Sequence, residues 1–210
     1  MLMLVIGLLP MIYLWNSWSA MPDVVPTHFD LNGKPNDYSS KQTLALILLV
    51  LGLLPVGLKF VLGLDPAKQS ILNANNLQKI RLGLSVFLAF VGVTMTQSGI
   101  EGNLSSILGT LLAPAMLVLM AFLGNYLTNL RPNYMAGVRT PWTLASTNVW
   151  QKTHLLAGRL MFGLCLAAVI PCIFLPMPYN LSLAACVILI AAFYPVYYSY
   201  RIRETAEETL

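Results

Sequence analysis

The sequence predicts an all-α membrane protein, a helical bundle with about six transmembrane helices. Of its 210 residues, 57% are hydrophobic and only 10% are charged, and the mean hydropathy is +0.71. A soluble domain carries roughly 25% charged residues, so this chain lacks the polar surface that would keep it in water. The apolar residues also form six runs of about 18 residues or more, the length that a helix needs to cross ~30 Å of hydrocarbon.

The first apolar run begins at the N-terminus. No Lys or Arg precedes it, as a secretory signal would require, so we expect an uncleaved first span. The six predicted spans cover approximately residues 2–19, 43–64, 80–98, 104–125, 155–175 and 179–200. We expect three parts: an N-terminal module at 1–64, an amphipathic connector at 65–79 and a four-span module at 80–210.

The basic residues near the span ends predict that both termini lie in the cytoplasm. Ten of the twelve Lys and Arg residues fall on the side of the N-terminus, and only Lys34 and Lys41 fall on the other. Cytoplasmic loops of membrane proteins carry this excess of basic residues. The loop at 20–42 is therefore expected to face outward. The basic residues form no single stripe, so direct nucleic-acid binding is not expected.

The connector at 65–79 begins with Asp65 and Pro66. This pair is typical of a helix N-cap followed by proline at the first helical position. Since Asn and Gln residues make the rest of the connector polar, we expect a short helix along the cytoplasmic surface that leads into the third span.

The outward loop is rich in residues that form turns. Proline stiffens its first half, and Asn32-Gly33 is a strong turn dipeptide. One interpretation is a compact connector that caps the bundle, and the other is a binding surface for something outside the cell. The candidate ligand-binding residues are Pro26, His28, Phe29, Asn32, Gly33 and Tyr38. His28 and the nearby aspartates lack the spacing of a metal site.

The cytoplasmic segment at 129–154 predicts a turn followed by two successive helix starts. Gly137 permits the turn, and Thr140-Pro141 and then Ser146 or Thr147 are typical of helix N-caps.

From Ser146 the helical pattern places Trp150, His154 and Ala157 on one face. Arg139 can hold a carboxylate, a lipid phosphate or backbone carbonyls at a helix end. One interpretation of Arg139 and His154 is a structural hydrogen-bond network that braces the fourth and fifth spans. The other is a surface that meets a cytoplasmic partner.

This segment resembles the signature of the SdpI family of bacterial membrane proteins, in which a Gly-[Ile/Val]-Arg-Thr-Pro stretch is followed by Trp and then His. The matching residues are Asn133, Gly137, Val138, Arg139, Thr140, Pro141, Thr143, Leu144, Trp150 and His154. The outward loop resembles the N-terminal module of the same family, at Pro26, His28, Phe29, Gly33 and Tyr38. Asp65-Pro66 fits the family as well.

The resemblance implies a multi-pass protein of the bacterial cytoplasmic (inner) membrane. It implies an immunity or sensor protein that gives resistance to a secreted toxin or antimicrobial peptide and relays its presence to a cytoplasmic repressor. The expected partners are membrane lipid, the toxin peptide and the repressor. No cofactor, metal or catalytic residue is expected.

Two other classes compete with this interpretation. A small transporter or exporter usually carries ionisable residues deep in its spans, whereas spans two to four and six have no central charge. Proline and glycine inside the spans can act as pivots or as static kinks. An enzyme would need catalytic groups that converge on one side, and His28 and His154 are predicted on opposite faces of the membrane.

Overall fold

The structure, a computed structural model, describes residues 2–66, 72–104 and 106–203. It confirms the predicted all-α membrane bundle and adds one β-hairpin. The described elements are α1 (Leu2–Asn16), β1 (Val24–Phe29), β2 (Pro35–Ser40), α2 (Lys41–Gly63), α3 (Ala74–Glu101), α4 (Ser106–Leu127), α5 (Pro141–Ala145), α6 (Thr147–Phe174) and α7 (Tyr179–Arg201).

Five of these helices, α2, α3, α4, α6 and α7, are long and apolar enough to cross a membrane. Helix α1 is apolar but has only 15 residues, and it ends at Asn16 where the sequence predicted a span to residue 19. The structure therefore supports five full-length spans, and the sixth stays a prediction.

Helices α3 and α6 extend well beyond their predicted spans, to 28 residues each. Both gain length at the N-terminal end, where polar residues remain helical because a side chain caps the first turn. The Asn73 side chain accepts a hydrogen bond from the Asn76 amide at 2.7 Å, and Ser146 accepts from the Val149 amide at 3.4 Å. A hydropathy window misses such turns because it scores polarity and not capping.

The connector differs from the short surface helix that the sequence predicted. Asp65 and Pro66 are not helical, and helix begins again at Ala74 as the first turn of α3. The part of the prediction that concerns residues 67–71 lies outside the described residues.

The six longer helices form two groups of three, and the short α5 is counted in neither. Helices α1, α2 and α3 pack against one another, α4, α6 and α7 do the same, and α3 contacts α4 between the groups. Each group encloses its own apolar core, with Leu14 and Leu48 buried in the first and Leu117 and Cys165 in the second.

Glycine allows the helix backbones to touch inside each group. A Cβ atom added to Gly52 would lie 2.5 Å from the Gly7 carbonyl oxygen, and one added to Gly158 would lie 2.6 Å from the Gly124 carbonyl oxygen. In lipid, helices associate through close packing of this kind, because lipid tails are as apolar as leucine and burial of apolar surface provides no drive.

Gly52→Ala tests this contact, and Gly57→Ala in the same helix is its matched control. The new methyl group at position 52 meets the α1 backbone, whereas at position 57 it meets no atom within 4 Å. Forcing extra volume into a packed contact costs about 1–3 kcal/mol. Both changes gain about 1 kcal/mol of helix propensity, so we expect a lower thermal unfolding midpoint in detergent for Gly52→Ala than for Gly57→Ala. Equal midpoints would contradict the close α1–α2 contact.

Candidate functional site

The two polar segments with candidate residues lie at opposite ends of the bundle. The hairpin (residues 24–40) joins α1 to α2, and its Gly33 lies beside Leu104 before α4 and Met177 before α7. The motif segment (residues 129–154) follows α4 and includes α5 and the first two turns of α6. Its Trp142 contacts Ser199 near the end of α7. The two segments therefore lie at opposite ends of the bundle, as the sequence predicted. Which end faces the cytoplasm stays a prediction.

Asn133 forms the first turn of the motif segment. Its Oδ1 atom accepts hydrogen bonds from the amides of Met135 at 2.8 Å and Ala136 at 2.7 Å, and its Nδ2 atom donates to the Arg131 carbonyl at 2.8 Å. The side chain is buried, with 2% of its surface exposed. Asn133 is thus a structural residue that folds the chain back towards the bundle.

Gly137 and His154 make the tightest contact of the segment. Gly137 has φ = 98°, and a Cβ atom there would lie 2.2 Å from the His154 Nε2 atom. The next amide, that of Val138, donates a hydrogen bond to the same Nε2 atom at 3.0 Å. Only glycine gives the backbone both this conformation and this approach.

The hydrogen bonds of His154 define its tautomer. An amide can only donate, so Nε2 accepts from Val138 and carries no proton. The proton therefore lies on Nδ1, which donates to the Trp150 carbonyl at 2.9 Å. Both ring nitrogens are occupied by backbone groups, and the ring is 1% exposed.

Trp150 binds the beginning of the motif segment, and His154 binds its middle. The indole is fully buried and stacks on the His154 ring, with 4.0 Å between the ring centroids. Its Nε1 atom donates to the Leu130 carbonyl at 2.9 Å. The pair on α6 therefore braces the chain that leaves α4, as one of the two interpretations of the sequence proposed for His154.

Thr140 and Pro141 begin α5 as the sequence predicted. The Thr140 side chain accepts from the Thr143 amide, the Thr143 hydroxyl accepts from the Thr140 amide, and Pro141 occupies the first turn. The Thr143 hydroxyl also lies 2.9 Å from the Val138 carbonyl, to which it donates. On the far side, Trp142 donates from Nε1 to the Ser199 hydroxyl at 2.6 Å. This link to α7 was not predicted, because Ser199 is distant in sequence and lies in an apolar run.

Arg139 and Tyr134 are two exposed residues of the motif segment. The Arg139 guanidinium donates to the Tyr134 carbonyl, which is one of the three roles that the sequence allowed for it. The Tyr134 amide donates to the Asp65 Oδ2 atom at 2.8 Å. Asp65, expected to cap a helix, thus joins the end of α2 to the motif segment and connects the two helix groups.

The candidate residues of the hairpin face different surroundings. Pro26 is buried and pairs with the exposed Tyr38 across the strands. His28 is exposed, lies at an irregularity in the strand register and places Nδ1 2.6 Å from the Asn36 Oδ1 atom. Phe29 is half-buried. The sequence predicted the turn but not the strands. Each strand contains a proline and lacks the alternation of apolar and polar residues that marks a strand.

Asp30 organises the turn that carries Asn32 and Gly33. Its Oδ1 atom accepts hydrogen bonds from the amides of Asn32 at 2.9 Å and Lys34 at 2.8 Å. The Lys34 amide, above all, lowers the pKa of the Asp30 carboxyl from its ordinary value. Gly33 has φ = 78°, as the predicted Asn-Gly turn requires.

A pocket of about 240 Å³ lies beneath the hairpin. Hairpin residues from Thr27 to Asp30 form one wall, and Leu104, Leu112 and Met177 from the second helix group form much of the other. The apolar wall could not be predicted, since nothing in its local sequence separates it from ordinary span residues. Among the described residues, no three His, Cys, Asp or Glu side chains form a group that could hold a metal ion.

The fold and these two segments define a multi-pass membrane protein with a hairpin at one end and a braced polar motif at the other. The family model described as SdpI/YfhL protein family matches residues 129–199, and the model described as Domain of unknown function (DUF1648) matches residues 5–53. The two matches support an SdpI-like family for this chain and confirm the resemblance seen in the sequence. No curated protein and no solved structure matches it.

The contact between Gly137 and His154 can be tested with Gly137→Ala. Gly102→Ala is the matched control, because both glycines have positive φ but Gly102 has no atom within 4 Å of an added Cβ. Backbone strain of about 1–2 kcal/mol is common to both changes. Gly137→Ala adds an overpacking cost of about 1–3 kcal/mol, so we expect the lower unfolding midpoint for it.

A His154→Ala background completes the cycle. Removing the ring removes the clash, so the difference between the Gly137 and Gly102 variants should shrink there. A difference that persists unchanged would show that the His154 ring is not the atom group that requires glycine.

The pH dependence of the hairpin turn follows from Asp30. Because its pKa is lowered in the folded chain, the carboxylate stabilises the turn fully above the unfolded value of about 3.9 and loses this effect as pH falls through the folded pKa. Amide NMR shifts of Asn32 and Lys34, followed from pH 6 to pH 2.5 in nanodiscs, should change with a midpoint below that value. Asp30→Asn, which still accepts hydrogen bonds, should abolish the titration. A midpoint at or above 3.9 would contradict the bonded carboxylate.

Proposed function

We propose that this chain is an immunity or sensor protein of the bacterial cytoplasmic membrane, which binds a secreted toxin or antimicrobial peptide at the hairpin and relays its presence to a cytoplasmic repressor at the motif segment. The SdpI family match supports an immunity-type membrane protein. The observation that carries the relay is that both segments join the same two helix groups, at opposite ends of the bundle.

The hairpin has four properties that suit a peptide ligand. Among the described residues its two strands pair only with each other. The second strand is exposed at its centre, so its outer edge offers backbone groups to which an extended peptide can add. Tyr38 is 54% exposed beside them, and the 240 Å³ pocket has room for an apolar side chain. Residues 23–41 hold three aspartates and two lysines, and Asp23 is paired with Lys41 at 2.9 Å. The net charge of −1 favours a cationic peptide.

The relay needs two arrangements of the helix groups, of which the ligand binds one better. A peptide wedged between the hairpin and Met177 acts on the contact between Gly33 and the second group. A shift there alters the other junction, where Asp65 holds Tyr134. Tyr134 and Arg139 are exposed at that junction, and we assign to them the contact with the repressor.

The proposal includes no catalysis. His154 has both ring nitrogens bonded to backbone groups, so it has no free nitrogen to act as a general base. His28 lies at the opposite end of the bundle, beside Asn36.

Tyr38→Ala tests peptide recognition, and Tyr179→Ala is its control. Both tyrosines are exposed at the same end of the bundle, but only Tyr38 lies on the hairpin. Loss of an aromatic contact at the centre of an interface costs about 2 kcal/mol or more. The variants are expressed in a deletion strain that is challenged with cationic membrane-active peptides. We expect Tyr38→Ala to lower the highest peptide concentration that the cells survive about tenfold or more, and Tyr179→Ala to leave it unchanged.

Replacing residues 27–38 with a Gly/Ser loop gives the stronger form of the same test. Protection should be lost while the chain remains in the membrane at its usual level. Unchanged survival of the deletion strain would contradict immunity, and substrate flux through the purified chain in proteoliposomes would favour a transporter.

A further inference from the structure

An apolar groove runs between the two helix groups, on the outside of the α3–α4 contact. It has a volume of about 670 Å³ and is lined almost wholly by apolar side chains of the two helices, including Leu82, Val86, Phe90 and Val118. Val86 and Val118 are more than half exposed there. Because both helices are long enough to span a membrane, the groove opens to lipid and not to water.

Gly83 of α3 lies against Phe122 of α4, and both residues line the groove. A Cβ atom added to Gly83 would lie 2.6 Å from the Phe122 ring, so this aromatic side chain fills the space that the glycine leaves. Phe122 also packs edge-on against Tyr126, with 5.1 Å between the ring centroids. Both rings line the groove.

The length of the groove corresponds to one leaflet of a bilayer. On α3 its lining runs from Lys79 to Phe90, and eleven residues of helix rise ~16 Å. Half of a hydrocarbon core of ~30 Å is ~15 Å. An extended acyl chain from one leaflet therefore covers the groove from end to end.

The lining of the groove favours a lipid over a helix from a second copy or from another protein. The apolar stretch is bordered by the exposed Lys79. A phosphate headgroup matches this charge, and the apolar face of a transmembrane helix does not.

The polar end of the groove suits an anionic headgroup. Lys79 lines the groove and also a second pocket of about 440 Å³, together with Asn75 and Gln78. All three side chains are exposed. An ammonium group beside two amides offers a phosphate one charge and several hydrogen-bond donors, and basic residues at the membrane surface favour anionic lipids.

We propose that the α3–α4 groove is a binding site for one anionic phospholipid. Its acyl chain lies along Leu82, Val86 and Val118, and its phosphate is held by Lys79. The site is separate from both the hairpin and the motif segment, and the lipid fills the gap between the two helix groups.

Native mass spectrometry of the full chain tests the headgroup contact. Phosphatidylglycerol or phosphatidylcholine is added to the detergent-solubilised protein, and bound lipid is counted. We expect one phosphatidylglycerol to be retained in preference to phosphatidylcholine. Lys79→Gln should weaken phosphatidylglycerol binding about fivefold, and Lys79→Arg should restore it. Lys59→Gln, at an exposed position on α2, is the control and should have no effect.

Val118→Trp tests the tail contact by filling the groove from its lipid side, and Val50→Trp is its control. The two valines are 51% and 52% exposed, and only Val118 lines the groove. Loss of the retained lipid in the first variant alone, with equal unfolding midpoints, supports the site. Equal binding of the two lipids, or equal retention by the two tryptophan variants, would overturn it. A dimer that Val118→Trp dissociates without loss of lipid would overturn it as well, since the face would then be a protein interface.

Discussion

The close approach of helix backbones at glycine is the constraint on which the rest of the structure depends. In lipid, no apolar surface is hidden from water when two helices meet, so association depends on contact distance. Gly7 with Gly52, and Gly124 with Gly158, bring backbones within reach of each other in the two helix groups. Since no comparable glycine pair joins α3 to α4 among the described glycines, the joint between the groups is open enough to leave a groove.

The polar segments supply the links that packing leaves out. Asp65 binds the Tyr134 amide across the groups at one end, and the turn at Gly33 lies against Leu104 and Met177 at the other. Asp65 is 5% exposed, and a buried carboxylate is expensive to leave without a hydrogen bond. The two helix groups are thus joined at both ends by contacts of the polar segments, and between them by the packing of α3 on α4, which includes Gly83 against Phe122.

Much of this arrangement could be predicted from the sequence, and the limits have physical causes. Composition and apolar runs predicted the bundle, and the caps at Thr140 and Ser146 were correct because capping depends on a few adjacent residues. The family motif identified Gly137 and His154 as motif residues but did not predict that they touch. Their contact depends on the positive φ of Gly137, which only the coordinates show. The hairpin strands, the Ser199 link and the apolar pocket wall depend on residues far apart in the chain, for which a single sequence carries no signal.

The arrangement has a consequence for how a ligand and a lipid act on one molecule. The groove and the hairpin pocket both lie where the two helix groups adjoin, one at the α3–α4 face and the other between Phe29 and Met177. A lipid that fills the groove favours the spacing at which its chain touches both helices, and a peptide in the pocket favours the spacing that admits its side chain. Two ligands that prefer different spacings of one joint must weaken each other, and two that prefer the same spacing must strengthen each other, because their binding is linked reciprocally. If both proposals hold, a lipid at α3–α4 and a peptide at the hairpin change each other's affinity by the same factor.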